Sequence, residues 1–222
     1  PVAIWLSDMI TGPSRDIAIV PLYAAMAIAY AIGEGTGRLA CISFGCCYGR
    51  PLGNVLKGLD RFIRPLGFVF TGKTKKISYA SGLEGVLVWP VQAFTSVIYV
   101  AAALASIYAF LIGSYGLALV TTIVVTQGWR ILSETFRADF RGESDVSVYQ
   151  VFSLLSIGFV LVVWTWLPPF GQTADLAAGL HVLWNVPTVF FLEAWAFFIF
   201  WYTGRSRVTG SCLNIHVKEE QI

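Results

Sequence analysis

Three charged side chains stand at a spacing that suits a phosphate ester. Arg130, Glu134 and Arg137 follow one another at intervals of four and three residues. On a helix this spacing places them on one face. Two guanidinium groups held by a carboxylate form a fork that fits a phosphodiester. The spacing alone leaves a second interpretation open, in which two interfacial arginines share an ordinary ion pair.

A fourth candidate, Arg38, lies in a glycine-rich segment that we call the signature segment, residues 33–51. Glu34 precedes Arg38 by four residues, the spacing of a helical ion pair. An arginine at membrane depth is costly unless it has a partner, so Arg38 is a functional candidate. The alternative is a structural helix seam with one buried ion pair.

Small residues recur every four positions along the signature segment: Gly33, Gly37, Cys41, Gly45 and Gly49. If the segment is helical, this strip predicts that another helix or a lipid tail approaches closely.

Three of the four cysteines, Cys41, Cys46 and Cys47, also lie in this segment, and Cys212 is far away in sequence. Zinc sites usually combine one such group with a second pair of ligands. The sequence shows no second Cys or His pair at a useful spacing. We therefore expect no metal site, and we interpret the cysteines as small apolar packing residues.

The elements that must position these residues are membrane helices. Hydrophobic residues make up 56% of the 222 residues and charged residues only 13%, with a mean hydropathy of +0.70. A globular domain has roughly a quarter of its residues charged. This composition argues against a soluble enzyme, a disordered chain and a nucleic-acid binder.

Long runs without charge locate the spans. The run 85–129 has no charged residue and is long enough for two helices of about 20 residues. The runs are continuously apolar, whereas barrel strands alternate. We predict an all-α polytopic membrane protein with five transmembrane helices, at 16–48, 84–112, 115–132, 146–167 and 177–202. One transmembrane domain would cover 1–205, followed by a polar tail at 206–222.

Basic residues concentrate on one side of these spans. The interfacial loop 50–82 begins with Arg50 and carries six more of them: Lys57, Arg61, Arg64, Lys73, Lys75 and Lys76. The positive-inside rule predicts that this side faces the cytoplasm. A second interpretation is that the basic side binds anionic lipid headgroups. Counting spans places Arg38 and Arg130 at the same membrane face as the loop.

The signature segment resembles that of bacterial prolipoprotein diacylglyceryl transferases, which reads Gly-Arg-x-Gly-Asn-Phe-x-Asn-x-Glu-x-x-Gly-Arg. Gly37, Arg38, Gly49 and Arg50 match that pattern. Two further blocks follow in the family's order. Residues 90–92, ending in Gln92, are similar to its Pro-Ser-Gln stretch, and residues 130–137 are similar to its Arg-x-x-x-Glu-x-x-Arg stretch.

The resemblance implies transfer of a diacylglyceryl group from phosphatidylglycerol to a preprolipoprotein cysteine thiol, with glycerol phosphate leaving. It implies catalytic roles for Arg38, Arg130 and Glu134. It implies substrate binding by the following residues: Gly37, Gly49, Arg50, Gln92 and Arg137. The implied partners are an anionic phospholipid and a lipoprotein precursor, with other membrane subunits as further candidates and no nucleic acid. The implied location is the bacterial inner membrane, and no cofactor is implied.

The sequence also departs from the family pattern. Cys41 and Phe44 replace its two asparagines, and Cys46 replaces its glutamate. The family's upstream His-Gly-Gly segment does not occur, so a divergent, partial member is expected. A catalytically inactive homologue that serves as a lipid-binding subunit or scaffold is the alternative. The family works on the outer membrane face, whereas the charge pattern predicts the inner one, and both orientations stay open.

Overall fold

The computed structural model describes residues 19–53, 62–139, 146–167 and 171–205. Helices dominate these ranges, which confirms the prediction of an all-α membrane protein. The chain divides into two compact units, residues 1–174 and 175–222. The prediction of one domain over 1–205 stays a prediction.

The first unit contains four long helices: α1 (Ile19–Phe44), α3 (Val91–Leu111), α4 (Tyr115–Phe136) and α5 (Val148–Trp164). A short helix, α2 (Lys76–Ser81), lies between α1 and α3. Helices α1, α3 and α4 are long and apolar enough to cross a membrane. Helix α5 has 17 residues, so at 1.5 Å per residue it is about 26 Å long. It falls just short of a hydrocarbon core of about 30 Å.

The predicted fifth span, 177–202, is not one helix. The second unit contains α6 (Leu176–Leu183) and α7 (Val186–Arg205), and the two are bent by 69° at a break. Pro187 explains the break, because its ring would clash with the Leu183 carbonyl in a continuous helix. In place of the five predicted spans, the described residues contain three, or four if the bent pair crosses as one, beside the shorter α5.

Small side chains let α1, α3 and α4 pack together. Their shared core is rich in alanine: Ala24, Ala31, Ala103, Ala109 and Ala118. On α4, the hydroxyls of Thr122 and Thr126 donate to the carbonyls four residues earlier, so these buried groups are satisfied inside the helix. Helices in lipid associate through close packing of this kind.

Helix α5 packs against α4 and exposes large apolar side chains. The exposed set includes Phe152, Leu154, Leu155 and Phe159. An apolar surface of this extent marks contact with a membrane or a partner. The first turn of α5 is closed by a capping box, in which the Ser147 hydroxyl accepts a hydrogen bond from the Gln150 backbone N–H.

The connection between α1 and α3 is folded rather than loose. Two short strands, β1 (Phe68–Val69) and β2 (Leu87–Val88), pair antiparallel, with Phe68 opposite Val88. A 3-10 helix, Arg64–Leu66, precedes β1. Helix α3 therefore begins at Val91, several residues after the predicted start at 84, because β2 and Pro90 occupy the intervening chain. The described parts of the predicted basic loop thus form an ordered layer at one end of the helices.

Candidate functional site

The site begins where α1 ends. The helix was predicted to continue to residue 48, but it ends at Phe44. Gly45 has a φ of 61° and Cys47 a φ of 54°, and these left-handed residues turn the chain out of the helix. A Cβ on Gly45 would lie 2.9 Å from Cβ of Lys75. Gly45 and Gly49 therefore do not continue a helical strip.

The prediction that the strip packs closely against another helix is wrong for Gly33 and Gly37. Both are exposed, and within the described chain nothing lies within 4 Å of a Cβ built on either. Gly35 makes the close approach instead, because its Cβ would lie 3.0 Å from Cβ of Tyr99 on α3. At 100° per residue, positions two away from Gly35 point to the far side of the helix. The alternative, that a lipid tail lies against this face of the helix, stays a prediction for Gly37.

Arg38 forms the predicted ion pair with Glu34, one turn earlier on α1. The Arg38 side chain is 16% exposed. Its Nε is buried and has no hydrogen-bond partner among the described residues. Arg38 thus pairs with one carboxylate, and its buried Nε–H makes no hydrogen bond within the described chain. A buried donor without a partner lowers stability, so a purely structural role for Arg38 would be costly.

Arg137, directly after α4, is almost completely buried at 7% exposure. Its Nε and Nη2 donate to the two carboxylate oxygens of Asp139, each over 2.8 Å. Burial opposes the charge, but the bond to Asp139 and the nearby Cys47 raise the pKa of Arg137 above its usual value. Sequence reasoning missed Asp139, although an acidic residue two positions after an arginine was a usable signal.

Gly49 and Arg50 tie the signature segment to the end of α4. Gly49 pairs with Arg137 as an isolated β-bridge. The Arg50 backbone N–H donates to Phe136 O over 2.8 Å, and its Nε donates to Arg137 O over 3.0 Å. A Cβ on Gly49 would lie 2.4 Å from Trp89 O. Gly49 is therefore required for close backbone approach, whatever its part in binding.

Gln92, in the first turn of α3, is 1% exposed. Its Nε2 donates to the Cys46 carbonyl over 2.9 Å. Its Oε1 is buried without a hydrogen-bond partner among the described residues. This predicted binding residue thus joins α3 to the signature segment and leaves one acceptor unused.

Arg130 lies at the edge of the site and contacts two tyrosines. Its Nη1 donates to the Tyr30 hydroxyl over 3.1 Å, and its guanidinium carbon lies 5.1 Å from the centre of the Tyr149 ring. The second contact is a cation–π interaction. Glu134, one turn further along α4, is half-buried, and its carbonyl accepts from the Arg137 N–H over 3.3 Å.

The predicted arginines lie towards one end of the helices. Arg38 and Arg137 both lie within electrostatic reach of Cys47. Arg130 and Arg38 both lie within electrostatic reach of the Tyr99 hydroxyl, which donates to Thr126 O. This arrangement agrees with the expectation, from counting spans, that Arg38 and Arg130 share a membrane face.

The three cysteines of the signature segment form a cluster that the sequence interpretation did not foresee. The sulfurs of Cys41, Cys46 and Cys47 lie within 4.8 Å of one another, and all three thiols are free and half-buried. Hydrogen bonds from Cys41 and Cys46, together with Arg137 and Arg38, lower the pKa of the Cys47 thiol well below its usual range. The usable signal was the turn-forming Gly45, which bends the chain so that Cys46 and Cys47 return towards Cys41.

The described chain also has a cavity of about 550 Å³, lined by Ile19, Val20, Pro21, Tyr115, Gly116, Gly171 and Gln172. Five of these residues lie at the starts of α1 and α4, the opposite end from the arginines, and Gly171 and Gln172 lie after α5. None of the predicted site residues lines it.

The fold and site together define a helical membrane protein with a cluster of arginines at one end of its spans. The family model for prolipoprotein diacylglyceryl transferase matches residues 2–166, about three quarters of the chain. The chain belongs to this family. No curated protein and no solved structure gave a significant match. The match contains all of the predicted site residues and ends before the second compact unit.

Proposed function

We propose that this protein transfers a diacylglyceryl group from phosphatidylglycerol to the cysteine thiol of a lipoprotein precursor in the bacterial inner membrane. The family match supports transfer to a lipoprotein. One observation supports an anionic phospholipid as the donor. Arg38 and Arg137 both lie near Cys47, at the end of the spans.

The proposed reaction asks for cationic groups at the departing phosphate. The acceptor thiol loses its proton and its sulfur bonds to a glycerol carbon. The bond from that carbon to the phosphate oxygen breaks, and glycerol phosphate leaves with the electron pair and takes up the proton. Negative charge grows on the departing oxygen, and fixed donors aimed at that position stabilise it most. Arg38 suits this role because its buried Nε is unpartnered.

The remaining residues divide into a catalytic group and a binding group. Arg130 contributes a second cation and Glu134 orients the guanidinium groups. Arg137 is fixed by Asp139 and supplies a charge whose position does not vary. Gln92, Gly49 and Arg50 hold the signature segment in place around the headgroup, and the open surface at Gly37 leaves room for an acyl chain.

A transfer assay tests the proposal on the full chain in vesicles. The donor is phosphatidylglycerol, with phosphatidylethanolamine, which has no net charge, as the comparison, and the acceptor is a precursor peptide with one cysteine. We expect Arg38→Ala to lower transfer by about 100- to 1000-fold, as for other electrostatic transition-state donors. Arg38→Lys should rescue poorly because an ammonium cannot form the fork.

Arg64→Ala is the matched control, because Arg64 is an exposed arginine of the same basic layer that contacts no site residue by the described geometry. It should keep wild-type transfer. Equal transfer by wild type and Arg38→Ala would overturn the proposal. Wild-type binding of phosphatidylglycerol without any transfer would select the inactive, lipid-binding homologue instead.

A further inference from the structure

The cysteine cluster has the geometry of a soft-metal site. The sulfurs of Cys41, Cys46 and Cys47 lie within 4.8 Å of one another. Three sulfurs around a zinc ion, at about 2.3 Å from it, stand about 3.8 Å apart in tetrahedral geometry. The cluster therefore needs an adjustment of at most about 1 Å to close on an ion. Half-buried sulfurs leave a path by which the ion can enter.

The chain holds the three thiols from two directions. Cys41 lies in the last turn of α1, so the helix fixes its backbone. The Cys46 N–H donates to Cys41 O over 3.1 Å, and the Cys46 carbonyl accepts from Gln92 Nε2. Cys47 is held in a left-handed conformation, with a φ of 54°, which is unfavourable for a residue other than glycine. Such strain is retained where surrounding structure imposes it, often at functional sites.

The neighbouring charges fit a thiolate complex rather than a bare cation. Three thiolates and one divalent ion carry a net charge of −1. Arg137 and Arg38 both lie within electrostatic reach of the Cys47 sulfur. Guanidinium groups beside the sulfurs favour the anionic complex, and three sulfur ligands disfavour hard cations, which prefer oxygen ligands.

We propose that Cys41, Cys46 and Cys47 bind one zinc ion through three thiolates and leave its fourth position to an exogenous thiol. The sequence argued against a metal because it shows no second pair of Cys or His ligands. The turn at Gly45 makes that pair unnecessary, because it brings Cys46 and Cys47 back to Cys41 and so gathers three sulfurs. Three protein ligands with an open fourth position are the arrangement of a zinc ion that binds a substrate or water. A thiol matches the softness of the other three ligands.

The second half of this proposal rests on the proposed transferase function, because that reaction has a thiol as its acceptor. Zinc lowers the pKa of a bound thiol, so the acceptor sulfur would be held as a thiolate. The same site places that sulfur next to Arg38 and Arg137, which are proposed to hold the departing phosphate.

Metal titration of the reduced, full-length protein in detergent tests the first half. We expect one equivalent of Zn²⁺, or of Co²⁺ with its sulfur-to-cobalt charge-transfer absorption. Cys46→Ser should lose the binding, and Cys212→Ser, the matched control, should keep it. Failure of the wild type to bind, or full binding by Cys46→Ser, would overturn the site.

A measurement on the wild type covers the case in which Cys46→Ser does not fold. Bound Zn²⁺ should protect Cys41, Cys46 and Cys47 from alkylation at least tenfold, as mapped by mass spectrometry, while Cys212 reacts at an unchanged rate. Equal alkylation of all four with and without Zn²⁺ would contradict the proposal.

The open position is tested separately on the Co²⁺-loaded protein. A precursor peptide with a cysteine should raise the charge-transfer absorption by about one third, since the sulfur ligands increase from three to four. The same peptide with serine should not. No increase would overturn the thiol position alone, and the transfer assay above decides the transferase function whatever the metal result.

Discussion

The two ends of the first unit's spans are built with similar backbone contacts and very different side chains. We call the end that carries Arg38, Arg137 and the cysteine cluster the arginine end. The opposite end, around the turn at Gly113 and Tyr115, is the turn end. At the turn end Gly171 donates its N–H to Gly113 O over 2.7 Å, and Tyr115 donates to Gln172 O. Backbone carbonyls and one aromatic hydroxyl account for these contacts.

The arginine end uses the same close backbone approach but adds charge. A Cβ built on Gly49 would lie 2.4 Å from Trp89 O, closer than the 2.7 Å between a Cβ on Gly113 and Gly171 O. Around the Gly49 contact stand buried Arg137 and Asp139, the Arg38 ion pair and three free thiols. Ionisable groups at membrane depth are costly, so their concentration at one end points to function there. Glycine packing by itself marks neither end as a site.

The largest expected effect is the loss of the buried ion pair at the arginine end. Arg137→Ala leaves the Asp139 carboxylate buried without its bidentate partner, which should cost about 3–5 kcal/mol in the free energy of unfolding. Arg50→Ala is the comparison, because Arg50 is exposed and loses one bond to a carbonyl, worth about 1.5–3 kcal/mol at most. Denaturation in detergent measures both. An Arg137→Ala protein as stable as Arg50→Ala would contradict the structural role.

The next contrast adds one methyl group at each end. Gly49→Ala places a Cβ 2.4 Å from Trp89 O, and Gly113→Ala places one 2.7 Å from Gly171 O. Each should lose about 1–3 kcal/mol of stability through overpacking, and Gly113→Ala also suffers from a φ of 82°. Only Gly49→Ala should lower the transfer measured on the folded fraction. An equal loss of transfer in Gly113→Ala would remove the distinction between the ends.

A smaller contrast concerns buried polar atoms without partners. Gln92→Leu removes the unpartnered Oε1 but also strands the Cys46 carbonyl, so we expect a loss of about 1 kcal/mol. Ser106, nearer the turn end of α3, has a buried Oγ without a partner among the described residues. Ser106→Ala should be neutral or slightly stabilising, since only an unsatisfied hydroxyl is removed. Thermal unfolding of both variants checks the sign of the difference.

The sequence predicted the membrane helices well and the site partially. Charge-free runs located α3, α4 and α5 because lipid selects for continuous apolar residues. The ion pair of Glu34 with Arg38 followed from helical spacing, which is local. The end of α1 at Phe44 was readable from Gly45, because a left-handed glycine commonly ends a helix, but the repeat of small residues every four positions hid it. The break before Pro187 was readable from that residue, but the continuous apolar run hid it.

The long-range contacts could not be predicted from the sequence, for a different reason. The pairing of Arg137 with Asp139 and of Gln92 with the Cys46 carbonyl depends on how α3 and α4 dock on the signature segment. Spacing of four cannot say which face of α1 meets α3, and the face chosen contains Gly35 rather than Gly37. Packing volume along the whole helix decides that choice, since the buried face also includes Ala24 and Ala31.

The smallest expected effect is at Gly37, and it separates binding from packing within the arginine end. Gly37→Leu adds a side chain where nothing described lies within 4 Å, so stability should change by no more than about 0.5 kcal/mol. Gly35→Leu, two residues earlier, would meet Tyr99 and Val100 and should destabilise strongly. If Gly37 borders the acyl chain of the donor lipid, Gly37→Leu should raise the KM for phosphatidylglycerol while the protein stays folded. Unchanged stability with unchanged KM would remove Gly37 from the binding site, and a loss of stability equal to that of Gly35→Leu would show that Gly37 is packed against another helix after all.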